Sequence, residues 1–130
     1  MNKTILLAED DPDDQLFFTA ALEEVSAQAQ LTIVSNGEAA FDFLAKSSVL
    51  PDICIFDINM PGVNGIDLLR KVRSDGRFKQ LYIVMLTTST DTPTADMCFD
   101  LGADAFYSKP GTHILLRETI RTILAGKRRL

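Results

Sequence analysis

Asp57 ends the apolar run Ile53-Cys54-Ile55-Phe56 and opens the turn Ile58-Asn59-Met60-Pro61-Gly62. A strand that is apolar at every position is buried on both faces, so its terminal carboxylate is presented by a rigid element. Glu9-Asp10 follows Ile5-Leu6-Leu7-Ala8 in the same way, Thr87 follows the run from Leu81 to Leu86, and Lys109-Pro110 follows Ala105-Phe106-Tyr107-Ser108. If these strand ends meet, carboxylates, a hydroxyl and an ammonium share one site. Carboxylates that close repel one another, so either one keeps its proton or a cation offsets them. A small oxygen-lined site suits Mg²⁺, whereas Zn²⁺ would call for His or Cys ligands, and the single histidine, His113, lies elsewhere. Asp57 could then act as an oxygen nucleophile toward phosphorus, with Lys109 drawing charge from the phosphoryl oxygens and Thr87 donating to another.

Taken singly, each residue has a plainer reading. Asp57 could cap a turn, Lys109 could be a solvated loop lysine, and Asp11, Asp13 and Asp14 read as acids favoured at a helix N-terminus. Cys98, Met97 and Phe99 read as packing residues, and His113 as exposed and inert. Only the convergence singles out Glu9, Asp10, Asp57, Thr87 and Lys109.

Convergence depends on the elements. Apolar runs at Thr4 to Ala8, Leu31 to Val34, Ile53 to Phe56, Leu81 to Leu86 and Asp104 to Tyr107 read as buried strands. Between and after them lie helical patterns: Pro12 with Asp11 as cap and Phe17, Phe18, Ala21, Leu22 and Val25 at helical spacing; Ala40, Phe43 and Leu44; Ile66, Leu69 and Val72; Pro93 to Leu101; and Leu116, Ile120, Ile123 and Leu124. Ser74 to Gln80 reads as a loop. Regular strand–helix alternation implies right-handed crossovers and a parallel sheet covered on both faces, an open α/β sandwich whose ligands bind beyond the carboxyl ends of the strands.

The bulk properties bound the rest. With 130 residues, 46% of them apolar, the chain fits one compact domain. A net charge of -5 argues against nucleic-acid binding, and the basic tail Lys127-Arg128-Arg129 reads as a solvated end. Cys54 and Cys98 have no metal-ligand spacing and read as buried free thiols of a reducing cytosol. Lys3 is followed too soon by Glu9 and Asp10 for a signal peptide, and no apolar run nears the ~18 residues of a membrane span. A soluble, cytoplasmic protein is expected, with no membrane partner.

From about Lys3 to Leu124 the chain resembles the receiver domain of bacterial two-component response regulators, with Glu9-Asp10, Asp57 in DINMPG, Thr87 and Lys109-Pro110 at the family's motif positions. The resemblance implies a flavodoxin-like three-layer sandwich: a five-stranded parallel sheet in the order 2-1-3-4-5 with five helices. It implies a single receiver domain over 1–130, with its core at about 3–124, a short basic tail at 125–130 and no output domain. Asp57 would be the phosphoacceptor. Mg²⁺, with Mn²⁺ able to substitute, would be held by Asp10, Asp57 and the Asn59 backbone carbonyl, with Glu9 acting largely through water. Thr87 and Lys109 would bind the phosphoryl group, and Pro110 would position Lys109 through a cis turn.

Phosphate would arrive from a sensor histidine kinase or a histidine phosphotransfer protein, and the chain would catalyse its own phosphotransfer and autodephosphorylation without being an enzyme in the ordinary sense. Thr87 moving toward the phosphate would let Phe106 turn inward, a population shift read by a protein target at helix 4, strand 5 and helix 5; a homodimer is a further possible outcome. Phe106 lacks the hydroxyl of the commoner tyrosine, and Tyr107 should face the other way. Asn59 and Ser89 stand where receivers tune phosphate lifetime, and Thr88 is bulkier than the family's usual small residue. The stretch Leu86-Thr87-Thr88-Ser89 resembles stand-alone receivers serving bacterial phytochrome-type kinases.

Three rivals remain. An Mg²⁺-dependent aspartyl phosphatase needs a second acid where Asn59 stands, and a cap domain. A flavodoxin-like nucleotide or flavin module needs a Gly-rich loop after the first strand. A receiver-like adaptor working without phosphorylation would be expected had a key residue been lost, and none is.

Overall fold

Strands and helices alternate throughout the structure, a computed structural model that describes residues 2–88 and 91–126. Strands β1 (Thr4–Ala8), β2 (Gln30–Val34), β3 (Ile53–Asp57), β4 (Tyr82–Thr87) and β5 (Ala105–Ser108) form one parallel sheet in the order β2-β1-β3-β4-β5. Helices α1 (Pro12–Val25), α2 (Gly37–Lys46), α3 (Gly65–Ser74), α4 (Thr92–Asp100) and α5 (His113–Leu124) complete the flavodoxin-like sandwich that the sequence implies. The chain reverses direction across the sheet after β2, so β1 and β3 are neighbours and their carboxyl ends flank the crevice where such sheets bind ligands.

Strand side chains alternate between the two faces, and both faces are covered. Leu6, Cys54, Phe56, Ile83 and Met85 pack with Leu44 of α2, Leu68 and Leu69 of α3 and Cys98 of α4. Ile5, Leu7, Ile55, Val84 and Leu86 pack with Phe18 and Leu22 of α1 and Ile120 and Ile123 of α5. This is why the runs of β1, β3 and β4 are so apolar; β2, at the sheet edge, is not the buried strand expected, since Gln30 and Thr32 are exposed and Leu31, Ile33 and Val34 only partly buried. Burial pushes the Cys54 thiol up to about 12 and the Cys98 thiol to about 11, so both are inert core thiols. Met97, expected to pack, is 46% exposed, because α4 turns Cys98 to the sheet and its neighbour outward. Among the described residues no helix is long and apolar enough to cross a membrane.

The helices start where their caps say. Asp11 accepts from the Asp13 and Asp14 N–H groups ahead of Pro12, and Asn36, Asn64, Asp91 and Thr112 cap α2 to α5 in the same way. The stretch read as a loop holds a 3₁₀ turn, Gly76–Phe78, with Phe78 buried. The Arg73 guanidinium fixes it by donating to the carbonyls of Phe78 (3.0 Å), Leu81 (2.8 Å) and Gly102 (2.9 Å) and to the Asp104 carboxylate (3.1 Å). One arginine thus satisfies carbonyls around a turn whose buried residue is Phe78, while the polar residues of the turn stay exposed.

Strands β3, β4 and β5 each run one residue further than the apolar pattern, to Asp57, Thr87 and Ser108. Asp57 pairs beside Leu86, and Thr87 beside Ser108. The backbone ladder ignores side-chain polarity: Ile58 N–H donates to the Leu86 carbonyl (3.2 Å) and Lys109 N–H to the Thr87 carbonyl (2.6 Å). Both side chains therefore inherit the rigidity of the sheet. Gly65 opens α3 against the end of β3, where a Cβ would collide with the Asp57 carbonyl and the Ile58 Cα.

Candidate functional site

The carboxyl end of the sheet gathers the residues that the sequence separates. Carboxylate oxygens of Glu9, Asp10 and Asp57 all lie within 4.8 Å of one another. Glu9 and Asp57 are buried and Asp10 is half-buried. Glu9 stays in line with β1 because its N–H donates to the Val34 carbonyl (3.0 Å), while its own carbonyl accepts from the Gln15 amide of α1 (2.6 Å). Its carboxylate accepts from the Asp11 N–H at 3.1 Å, and Asp57 accepts from the Asn59 N–H at 3.1 Å.

Lys109 closes the cluster. Its ammonium lies 2.7 Å from Glu9, 2.9 Å from Asp14 and 3.3 Å from Asp57. The solvated-lysine reading is therefore wrong, since only 16% of its side chain is exposed. So is the reading of Asp14 as a helix-end charge and nothing more. Its partner is 95 positions away, and nothing in the local pattern distinguishes Asp14 from Asp13.

Glu9 bears the cost of burial at this site. Burial, joined by the neighbouring Asp57, raises its pKa to about 7 against the opposing pull of Lys109 and the Asp11 N–H. Burial by itself would weaken the Lys109 ammonium, but Glu9, Asp14 and Asp57 outweigh it and hold the pKa above its ordinary value. The oxygen-only donor set of three close carboxylates fits a hard divalent cation such as Mg²⁺ or Mn²⁺. It does not fit zinc: Cys54 and Cys98 are in the core, and His113 sits on α5 against Glu24.

Thr87 is fully buried, and the Asn59 side-chain amide reaches both its hydroxyl (3.4 Å) and that of Thr88 (3.2 Å). Phe106 lies inward, 3% exposed, in the layer under α3 and α4. Tyr107 faces the other layer, as the alternation requires. Pro110 departs from expectation, because its peptide bond is trans like every other described one. Trans is the favoured form even before proline, and here the Lys109 N–H bond to Thr87 and the ammonium's three carboxylates fix the turn. His113 is exposed as expected. It lies 2.6 Å from Glu24, which Arg117 also contacts at 3.1 Å, and these partners hold the Glu24 carboxyl below its usual range. Ser89 and the Lys127-Arg128-Arg129 tail lie outside the described residues.

The profile of the response regulator receiver domain family matches residues 5–121. Response regulator Rre1 of Synechocystis sp. is 35% identical over 122 residues, covering 94% of this chain and 52% of that protein. The chain thus spans about half the length of this curated relative. Among solved structures, response regulator RPA3017 in red light signaling of R. palustris superposes with a TM-score of 0.86 at 29% identity, covering 93% of this chain and 90% of that one. The Mn²⁺-bound form of response regulator Rcp1 does so with a TM-score of 0.84 at 23% identity, covering 98% of each.

Proposed function

The chain belongs to the response regulator receiver domain family, and on that premise we propose that Asp57 accepts a phosphoryl group from a phosphohistidine. The observation that carries this reading is the buried Asp57 carboxylate at the end of β3, 3.3 Å from the Lys109 ammonium and within 4.8 Å of two further carboxylates.

A carboxylate oxygen of Asp57 attacks phosphorus as the phosphorus–nitrogen bond of the phosphohistidine breaks, and the imidazole leaves with the electron pair and takes up a proton. The Lys109 ammonium offsets charge on the phosphoryl oxygens, and the Thr87 hydroxyl donates to another of them. Glu9, Asp10, Asp57 and the Asn59 backbone carbonyl would hold Mg²⁺ or Mn²⁺, whose charge offsets repulsion between the acids and the entering phosphoryl group. Hydrolysis reverses the modification: water attacks phosphorus, inorganic phosphate leaves, and the Asp57 carboxylate is regenerated.

Receiver domains interact with histidine kinases, and a sensor kinase or histidine phosphotransfer protein is the proposed donor. Leu16 and Phe17 of α1 and Ile114 and Leu115 of α5 are exposed, which puts apolar surface near the site for a protein donor. The signal is a population shift in which Thr87 leaves the Asn59 amide for the phosphate and Phe106 repacks beneath it. The α4-β5-α5 surface then presents a changed shape to a protein target or to a second copy of the chain. The proposed setting is a cytoplasmic phosphoprotein of a bacterial phosphorelay.

The test is a Phos-tag gel after incubation with a phosphodonor and Mg²⁺. Wild type should shift and Asp57→Asn should not; equal shifts would overturn the reading.

A further inference from the structure

We propose that Asp14 is a positioning residue that holds the Lys109 ammonium in place for phosphoryl transfer, an inference that rests on the phosphoacceptor reading of Asp57. An ammonium has three N–H donors, and those of Lys109 have three carboxylates within reach: Glu9 from the end of β1, Asp57 from the end of β3, and Asp14 from the first turn of α1. The first two belong to the cluster able to hold a divalent cation, and Asp14 does not. Once Glu9 and Asp57 turn toward a cation, and Asp57 gives an oxygen to phosphorus, Asp14 is the carboxylate still committed to Lys109.

Its placement suits that role. Asp14 is fixed at the first turn of α1, where its N–H is bound by the Asp11 cap at 3.3 Å, and α1 packs on the sheet through the buried Phe18, Ala21 and Leu22. Lys109 is fixed from the other side by its N–H on the Thr87 carbonyl. The lysine is thus held at its backbone by β4 and at its tip by α1, and the phosphoryl oxygens take the places that Glu9 and Asp57 give up. A positioned ammonium stabilises developing charge without reorganisation.

The test compares wild type, Asp14→Asn, Asp14→Glu and Asp13→Asn in labelling by phosphoramidate at saturating Mg²⁺. Asp13 is an exposed acid on the same helix turn, so its variant reports the general charge effect alone. Asp14→Asn should label on the order of tenfold more slowly, with its Mg²⁺ half-saturation unchanged, Asp14→Glu should recover part of the rate, and Asp13→Asn should match wild type. Wild-type rates in Asp14→Asn, or equal slowing in Asp13→Asn, would overturn the role of Asp14 alone. A wild type that does not label, beside an Asp57→Asn protein equally unlabelled, would overturn the phosphoacceptor reading itself.

Discussion

The side-chain amide of Asn59 donates to the Thr88 hydroxyl at 3.2 Å, joining the loop after β3 to the residue that follows β4. Asn59 stands two positions past Asp57 and Thr88 one past Thr87, so the bond spans the approach to the phosphoacceptor. Alanine at 88 removes both the hydroxyl and the γ-methyl. Loss of one such bond is worth about 1 kcal/mol, so acetyl phosphate should label Thr88→Ala roughly fivefold faster than wild type. Equal rates would show that Thr88 is no barrier to small donors.

Glu9 gives the protein an unusual pH dependence when no divalent cation is bound. Its pKa rises from 4.5 unfolded to about 7 folded, so between those values the folded state holds more protons and stability falls as pH rises. The change should be on the order of 2 kcal/mol between about pH 5 and about pH 8. With Mg²⁺ bound the charged carboxylate is the favoured form, and the slope should flatten or reverse. Urea midpoints in EDTA and in Mg²⁺ measure both; a midpoint in EDTA that rises with pH would contradict the raised Glu9 pKa.

Removing the cation that faces Glu9 and Asp57 should expose their repulsion. Lys109→Met keeps length and apolar stem but leaves both acids without the ammonium, and a buried pair broken on one side loses about 3 kcal/mol. The loss should shrink in Glu9→Gln/Lys109→Met, because the amide needs no counter-charge. A double variant no more stable than Lys109→Met would mean that Glu9 carries little of the strain.

The sequence made the sheet legible because burial on both faces leaves a plain signature, and it made the site legible because strand ends convert distant positions into neighbours. Phe106 and Tyr107 fell on opposite faces as period two requires, and Asp11 with Pro12 marked the start of α1. What it hid were choices made by side-chain direction. Asp13 and Asp14 are chemically identical, and only helix rotation sends one to Lys109. Arg73 reads as one more charge on α3 until its carbonyl partners are seen. Met97 and Cys98 are adjacent apolar residues of opposite fate. The peptide before Pro110 is trans, the form favoured even at proline, where the resemblance implies a cis turn.

Gly65 tests whether the rigidity of Asp57 is needed as well as its charge. A methyl group at 65 meets the Asp57 carbonyl and the Ile58 Cα, backbone that cannot move without shifting the end of β3. Overpacking of this kind costs about 1–3 kcal/mol, and the relief available is to push α3 and the Asp57 peptide apart. Gly65→Ala should therefore lose stability by about 2 kcal/mol and also label more slowly at saturating Mg²⁺. Gly76 is the control, since a Cβ there meets nothing within 4 Å, and Gly76→Ala should be neutral or slightly stabilising through the unfolded chain. Urea unfolding and phosphoramidate labelling of the two variants separate the effects. A Gly65→Ala protein that is destabilised yet labels at the wild-type rate would show that the chemistry tolerates movement of the strand end.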